Sequence, residues 1–178
     1  MSTLNVNAID KESGSTLTLG TSGTTVDIPS GATLDVTGAT FSGWYETGTW
    51  TPVFAGSGTA GSFTYTAQIG HYTKIGNVVV AQFRVSISAI SVAAAGYLYI
   101  QGLPENAYEY PGITFSSIVG FTSGDTPSGG YIQNATNYMQ LMRYVSDDPR
   151  DGWNTHCGGS ALTATSSISG SITYRTSA

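Results

Sequence analysis

The sequence alternates strictly between polar and apolar side chains along Gln82-Phe83-Arg84-Val85-Ser86-Ile87-Ser88. The same period of two returns along Gly96-Tyr97-Leu98-Tyr99-Ile100-Gln101. Successive side chains of a strand point to opposite faces, so both stretches predict strands with one buried and one exposed face.

Comparable segments lie on both sides of these two stretches, with turn residues between them and no helical pattern. We predict strands over 49–54, 63–66, 71–75, 77–87, 96–101, 115–121, 131–134, 138–144 and 167–175. Gly76-Asn77 suits the turn of a tight hairpin, and residues 91–95 allow one helical turn at most. Short strands at regular spacing predict an all-β fold, an antiparallel β-sandwich of jelly-roll type.

The composition favours the same fold class and limits the partners. Charged residues make up 10% of the 178-residue chain, against about 25% in an average globular protein. A net charge of −5 with six basic residues disfavours nucleic acid, which is bound through clustered Lys and Arg. The start lacks the pattern of a secretory signal, and no stretch reaches the ~18 apolar residues of a membrane helix. We therefore expect no membrane insertion.

Residues 1–43 differ in composition from residues 44–178, and we predict a domain boundary between them. The first segment contains one aromatic residue, Phe41, and three apolar pairs at spacings of nine and eight residues with turn residues between them. The pairs are Leu17/Leu19, Val26/Ile28 and Leu34/Val36. Two apolar side chains per strand cannot form a core in one chain. We predict that several chains intertwine as an extended, β-rich stalk with these six side chains on its axis; a flexible Ser/Thr/Gly linker is the alternative.

Two motifs resemble ligand sites, but the residues around them do not fit the sites they resemble. The glycines at 56, 58 and 61 match G-x-G-x-x-G, yet a strand pattern follows instead of the helix that a dinucleotide site needs, so we predict a hairpin loop. The loop Asp147–Asp151 lacks the ligand spacing of a calcium-binding EF-hand. A solvated turn is the first interpretation, and an ion site of another kind or an interchain ion pair stays open.

The sequence also offers no catalytic grouping. His156 and the single cysteine, Cys157, are adjacent, and neighbours on a strand point to opposite faces. His156 is therefore a poor base for Cys157, which we predict to be a small buried residue. With no paired acids, no cysteine pair for a metal and no cofactor motif, we predict a protein that is not an enzyme and that needs no metal or cofactor.

Aromatic residues in predicted loops are the remaining candidates for binding. They are Tyr108, Tyr110 and Trp153, with Glu109, Asp151 and Asn154 nearby. Aromatic rings stack on the apolar faces of sugars while polar neighbours bind hydroxyls, so these residues are candidates for glycan contact. Packing at the end of the sandwich or at a subunit interface is the alternative.

Two segments resemble known phage proteins. Residues 4–20 resemble the N-terminal segment of small virion proteins of marine and cyanobacterial tailed phages. Within 45–103, a second resemblance is to a module at the distal ends of phage tail fibres, tail spikes and head fibres. It rests on Glu46-Thr47-Gly48-Thr49-Trp50-Thr51-Pro52, Gly61-Ser62-Phe63-Thr64-Tyr65 and Gly70-His71-Tyr72-Thr73-Lys74-Ile75-Gly76-Asn77-Val78-Val79.

The resemblance implies a homotrimer in the virion, with residues 1–43 attached to a capsid or tail protein and the β-sandwich displayed outward. Two roles fit this expectation: a head fibre or capsid decoration, and a tail-fibre adhesin that binds host surface glycan. The chain lacks the β-helical body of enzymatic tail spikes, which makes glycan cleavage a remote alternative.

Overall fold

The structure, a computed structural model, describes residues 22–33, 44–143 and 155–177. The chain divides into two units, Met1–Ala39 and Thr40–Ala178. The predicted boundary between residues 43 and 44 stays a prediction, as does the stalk.

Residues 22–33 are the described part of the first unit. Here a turn forms in which the Ala32 N–H donates to the Pro29 carbonyl at 3.0 Å, and Gly31 takes the left-handed φ of 87° that a type II turn requires. The strand predicted for Val26 and Ile28 is not formed within these residues, and both side chains are exposed. So short a strand needs a neighbouring strand, which our prediction assigns to other copies of the chain. Leu17, Leu19, Leu34 and Val36 lie outside the described residues.

The second unit is a sandwich of two antiparallel sheets, which confirms the predicted all-β fold. Its strands are β1 Tyr45–Trp50, β2 Val53–Gly56, β3 Ser62–Ile75, β4 Val78–Val92, β5 Leu98–Gln101, β6 Thr114–Phe121, β7 Gly129–Ile132, β8 Tyr138–Arg143, β9 Thr155–His156 and β10 Leu162–Arg175. The first sheet has the order β1-β3-β4-β10-β6. The second sheet has the order β2-β5-β8-β7, with β9 paired to β8.

The core lies between the sheets and follows the alternation seen in the sequence. On β4, Phe83, Val85 and Ile87 are buried, while Gln82 and Arg84 face outward. From the second sheet, the core receives Leu98, Ile100, Ile132, Met139 and Leu141. One polar residue of the alternation, Ser86, is also buried, and its hydroxyl pairs with that of Ser167 at 2.6 Å.

The hairpin predicted at Gly76-Asn77 is confirmed, and it joins β3 to β4. Gly76 has a φ of 58°, while Asn77 is not among the residues with positive φ. This combination fits a type II′ turn, whose first central residue favours glycine.

Three strand predictions were wrong in how they divide the chain. The strand predicted over 49–54 is two strands in different sheets, because Pro52 has no N–H to donate to a ladder. The strands predicted over 63–66 and 71–75 are the single strand β3. Gly70, which reads as a turn residue, instead allows close approach to β1: a Cβ there would lie 2.5 Å from the Trp50 carbonyl oxygen.

Residues 91–95, which allow one helical turn at most, form none, because β4 continues to Val92; the short 3-10 turn of the described chain lies at Gly159–Ala161. One loop prediction needs correction. The G-x-G-x-x-G loop is not a hairpin, because β2 and β3 belong to different sheets. The loop crosses between the sheets and is fixed by backbone hydrogen bonds with Ala95.

Candidate binding cleft

The loop that carries Tyr108 and Tyr110 forms one wall of a surface cleft of about 420 Å³. The two tyrosines are 54% and 64% exposed, so their rings are available to a ligand. The cleft is lined by Val78, Tyr108, Glu109, Tyr110, Pro111, Thr173, Tyr174 and Arg175. The structure thus brings two of the three predicted glycan-contact residues together. Trp153 lies outside the described residues.

Backbone hydrogen bonds hold the loop in place. The Tyr108 N–H donates to the Arg175 carbonyl at 2.6 Å, which ties the loop to the end of β10. The Glu109 N–H donates to the Asn134 side-chain oxygen at 3.1 Å. Glu109 has a φ of 68°, a left-handed conformation that costs energy for a residue with a side chain. Because the loop is fixed in advance, a ligand does not need to order it.

The floor of the cleft is the end of the first sheet. Thr173 and Arg175 pair with Val80 and Val78 on the adjacent strand β4. Between them Tyr174 points the other way and is buried, and its hydroxyl donates to the Glu105 carbonyl at 3.2 Å. Burial raises the pKa of Tyr174, so this hydroxyl stays neutral. The floor is therefore a rigid strand end rather than a mobile loop.

Flat rings and mixed polar groups determine what the cleft can bind. Tyr108 and Tyr110 offer apolar ring faces, while Thr173, Glu109 and Arg175 supply hydroxyl, carboxylate and guanidinium groups. Arg175 and Glu109 carry opposite charges, so the described lining residues have no net charge. This combination suits a carbohydrate, which presents apolar C–H faces and hydroxyls together.

Sequence reasoning missed the floor of the cleft. Thr173 and Arg175 belong to an ordinary alternating strand, and nothing in their local sequence marks them. They reach Tyr108 only because β10 runs beside the loop, with an antiparallel bridge between Tyr108 and Arg175. Tyr131 was also missed; its ring lies 6.1 Å from that of Tyr110.

Cys157 is fully buried and unpaired, which confirms the prediction of a small buried residue. Burial raises the pKa of its thiol to about 12, so the thiol is not a ready nucleophile. His156 stacks on Tyr97, with ring centroids 4.1 Å apart. Within the described ranges, no three His, Cys, Asp or Glu side chains cluster as metal ligands. The loop Asp147–Asp151 lies outside those ranges.

The buried thiol of Cys157 makes the free energy of unfolding depend on pH in the alkaline range. Its stabilising effect is complete below its ordinary pKa of 9.0 and is lost as the pH rises towards about 12, because only the unfolded chain ionises in that window. We expect the free energy of unfolding to fall by about 1.4 kcal/mol per pH unit there. Urea unfolding of wild type and Cys157→Ala between pH 7 and 11 measures this. The alanine variant should fall less steeply, and equal slopes would contradict the prediction.

The fold and the cleft define an antiparallel β-sandwich with a tyrosine-lined surface site. A similar fold occurs in the Dettilon tailspike protein (gp208), with a TM-score of 0.58 and 18% sequence identity. The match covers 74% of this chain and 24% of the tailspike chain, so this chain corresponds to a minor part of that protein. No protein-family model and no curated protein sequence matches the chain. No helix in the described ranges is long and apolar enough to cross a membrane.

Proposed function

We propose that this chain is a non-enzymatic structural protein of a bacteriophage particle, a fibre or decoration protein that displays its β-sandwich outward. The observation that carries the proposal is the fold shared with the Dettilon tailspike protein over 74% of this chain. The resemblance of residues 4–20 and 45–103 to phage virion proteins points the same way.

The proposed particle protein is a homotrimer attached through residues 1–43. Val26 and Ile28 support this arrangement, because a single chain leaves them 55% and 46% exposed. Apolar side chains in such regular positions gain free energy when other copies cover them. The partner on the particle is a capsid or tail protein.

The proposal of a non-enzymatic role rests on the lining of the cleft. Among the described residues that line the cleft, Glu109 is the one carboxylate. Most glycoside hydrolases use two carboxylates on either side of the scissile bond. The cleft therefore supports binding of a glycan without its hydrolysis.

Attachment to particles tests the proposal. We expect light scattering of the full chain to give three times the chain mass, and a chain without residues 1–43 to keep its sandwich but lose attachment. Circular dichroism reports the fold, and co-sedimentation with purified phage particles reports attachment. The full chain serves as the control. A stable monomer would contradict the trimer, and full occupancy by the truncated chain would contradict the anchor.

A second function, that of an adhesin for host surface glycan, is favoured by one specific observation. Tyr108 and Tyr110 stand exposed on a fixed loop over a cleft large enough for a sugar ring. A single shallow site gives modest affinity. A trimer, or many trimers on one particle, raises the overall affinity through effective concentration. The adhesin and structural roles are compatible.

A further inference from the structure

We propose that the outer face of the second sheet binds a neutral polysaccharide chain that continues out of the cleft, so that the ligand is a chain of sugars rather than one terminal sugar. The inference rests on the proposed glycan binding by the cleft. It concerns four side chains, which we name the tyrosine row: Tyr110, Tyr131, Tyr99 and Tyr138.

The sheet register places the tyrosine row on one face. Gln140 of β8 pairs with Tyr99 of β5 on one side and with Tyr131 of β7 on the other. The adjacent line across the same strands, Ile100, Met139 and Ile132, is fully buried in the core. Side chains alternate along each strand, so Tyr99, Gln140 and Tyr131 point away from the core.

One ring contact connects the tyrosine row to the cleft, and a second joins the two tyrosines on the other side of Gln140. The rings of Tyr110 and Tyr131 are 6.1 Å apart, and those of Tyr99 and Tyr138 are stacked at 4.6 Å. Because two strand spacings separate Tyr131 from Tyr99, these residues stand about 10 Å apart across the sheet. The row therefore extends well beyond the space occupied by one sugar ring.

The chemistry of the face selects a neutral ligand. Burial is the main cause that raises the pKa of Tyr131, followed by the neighbouring Tyr110 and Tyr99. Burial is also the main cause that raises the pKa of Tyr138, followed by Tyr99 and Tyr131. No charged side chain of the described residues contributes to either shift. The four side chains of the tyrosine row are uncharged at neutral pH, so an acidic or basic ligand would gain no ion pair from the row itself. The phenol rings and hydroxyls of the row instead match the C–H faces and hydroxyls of neutral sugars.

The face is also ordered before a ligand arrives. Gln140 is only 4% exposed although it lies on the outward side. The Tyr138 hydroxyl donates to the Gln133 side-chain oxygen at 2.8 Å, which fixes its ring against Tyr99. Fixed rings reduce the entropy lost on binding. Continuity with the open cleft favours a linear chain over a second copy of the protein as the occupant.

Chain length is the variable that tests the inference. The probe is a printed array of neutral and acidic oligosaccharides of one to eight sugars, applied to the full chain. We expect binding to neutral glycans to strengthen with length. The double variant Tyr99→Thr, Tyr138→Thr removes the stacked pair beyond Gln140, keeps residues that favour strands and should bind long neutral glycans about tenfold more weakly, with short ones unchanged. Tyr45→Thr, which removes an exposed tyrosine from the first sheet, is the matched control.

The outcomes separate this inference from the proposed functions. Length-independent binding that still needs Tyr108 and Tyr110 would overturn the inference and leave the cleft as the site. Absence of binding to every neutral glycan would overturn both, while particle attachment would be unaffected. A variant that loses its trimer mass would identify a second copy as the occupant and overturn the inference. Should the double variant unfold, Tyr138→Thr alone replaces it, because it removes one ring of the tyrosine row and leaves Tyr99 in place.

Discussion

Replacement of Phe54 by alanine is expected to lower the free energy of unfolding of the sandwich by about 3–5 kcal/mol. Phe54 is 1% exposed and lies on β2, facing the first sheet. Its ring makes edge-to-face contacts with Phe63 of β3 at 6.4 Å and Phe121 of β6 at 6.3 Å. Removal of the ring leaves a cavity between the sheets and ends both contacts at once.

The loss is a large part of the total, because domains of this kind are stable by about 5–15 kcal/mol. Urea unfolding of the full chain at fixed protein concentration measures it. Val119→Ala is the control, since this aliphatic side chain lies on β6 but is 58% exposed, and we expect a change within about 0.5 kcal/mol. A Phe54→Ala midpoint close to that of Val119→Ala would show that Phe54 does not join the sheets.

The strands that could be predicted from the sequence are those with one face in the core. Along β4 every second side chain enters the core, so apolar residues recur in the sequence with a period of two. Phe83, Val85 and Ile87 are buried as predicted. The errors fall where tertiary contacts override a local signal. Gly70 suggests a turn, but β3 continues through it because the Trp50 backbone lies where a side chain would stand. The predicted strand over 49–54 contains Pro52, although the chain passes from the first sheet to the second at this residue.

The candidate site could be predicted only in part, for a similar physical reason. Tyr108 and Tyr110 are recognisable locally, because large rings beside Pro111 and Glu109 in a loop have no core pattern to join. The floor of the cleft depends on pairing between segments far apart in the chain, and Arg175 meets Tyr108 across such a distance. The tyrosine row also depends on strand register, because Tyr99 and Tyr131 lie on one face only where both pair with Gln140 of β8.

Removal of both rings from the cleft is expected to have the largest functional effect. The double variant Tyr108→Ala, Tyr110→Ala should bind glycans at least roughly 30-fold more weakly, a loss of about 2 kcal/mol that is typical of aromatic residues at the centre of a binding site. The fold should survive, because the Tyr108 N–H and Glu109 N–H that fix the loop are backbone groups and remain. Thermal melting of the variant checks this.

Two controls distinguish the rings of the cleft from tyrosine content in general. Tyr108→Phe, Tyr110→Phe keeps both flat faces and should retain most of the binding, because ring stacking is the interaction under test. Tyr45→Ala removes an exposed tyrosine from β1 and should bind like wild type. The glycan array with these three variants is the measurement. Equal binding by wild type and the alanine double variant would exclude this loop as the site, and glycans shortened after incubation would show hydrolysis that one lining carboxylate does not explain.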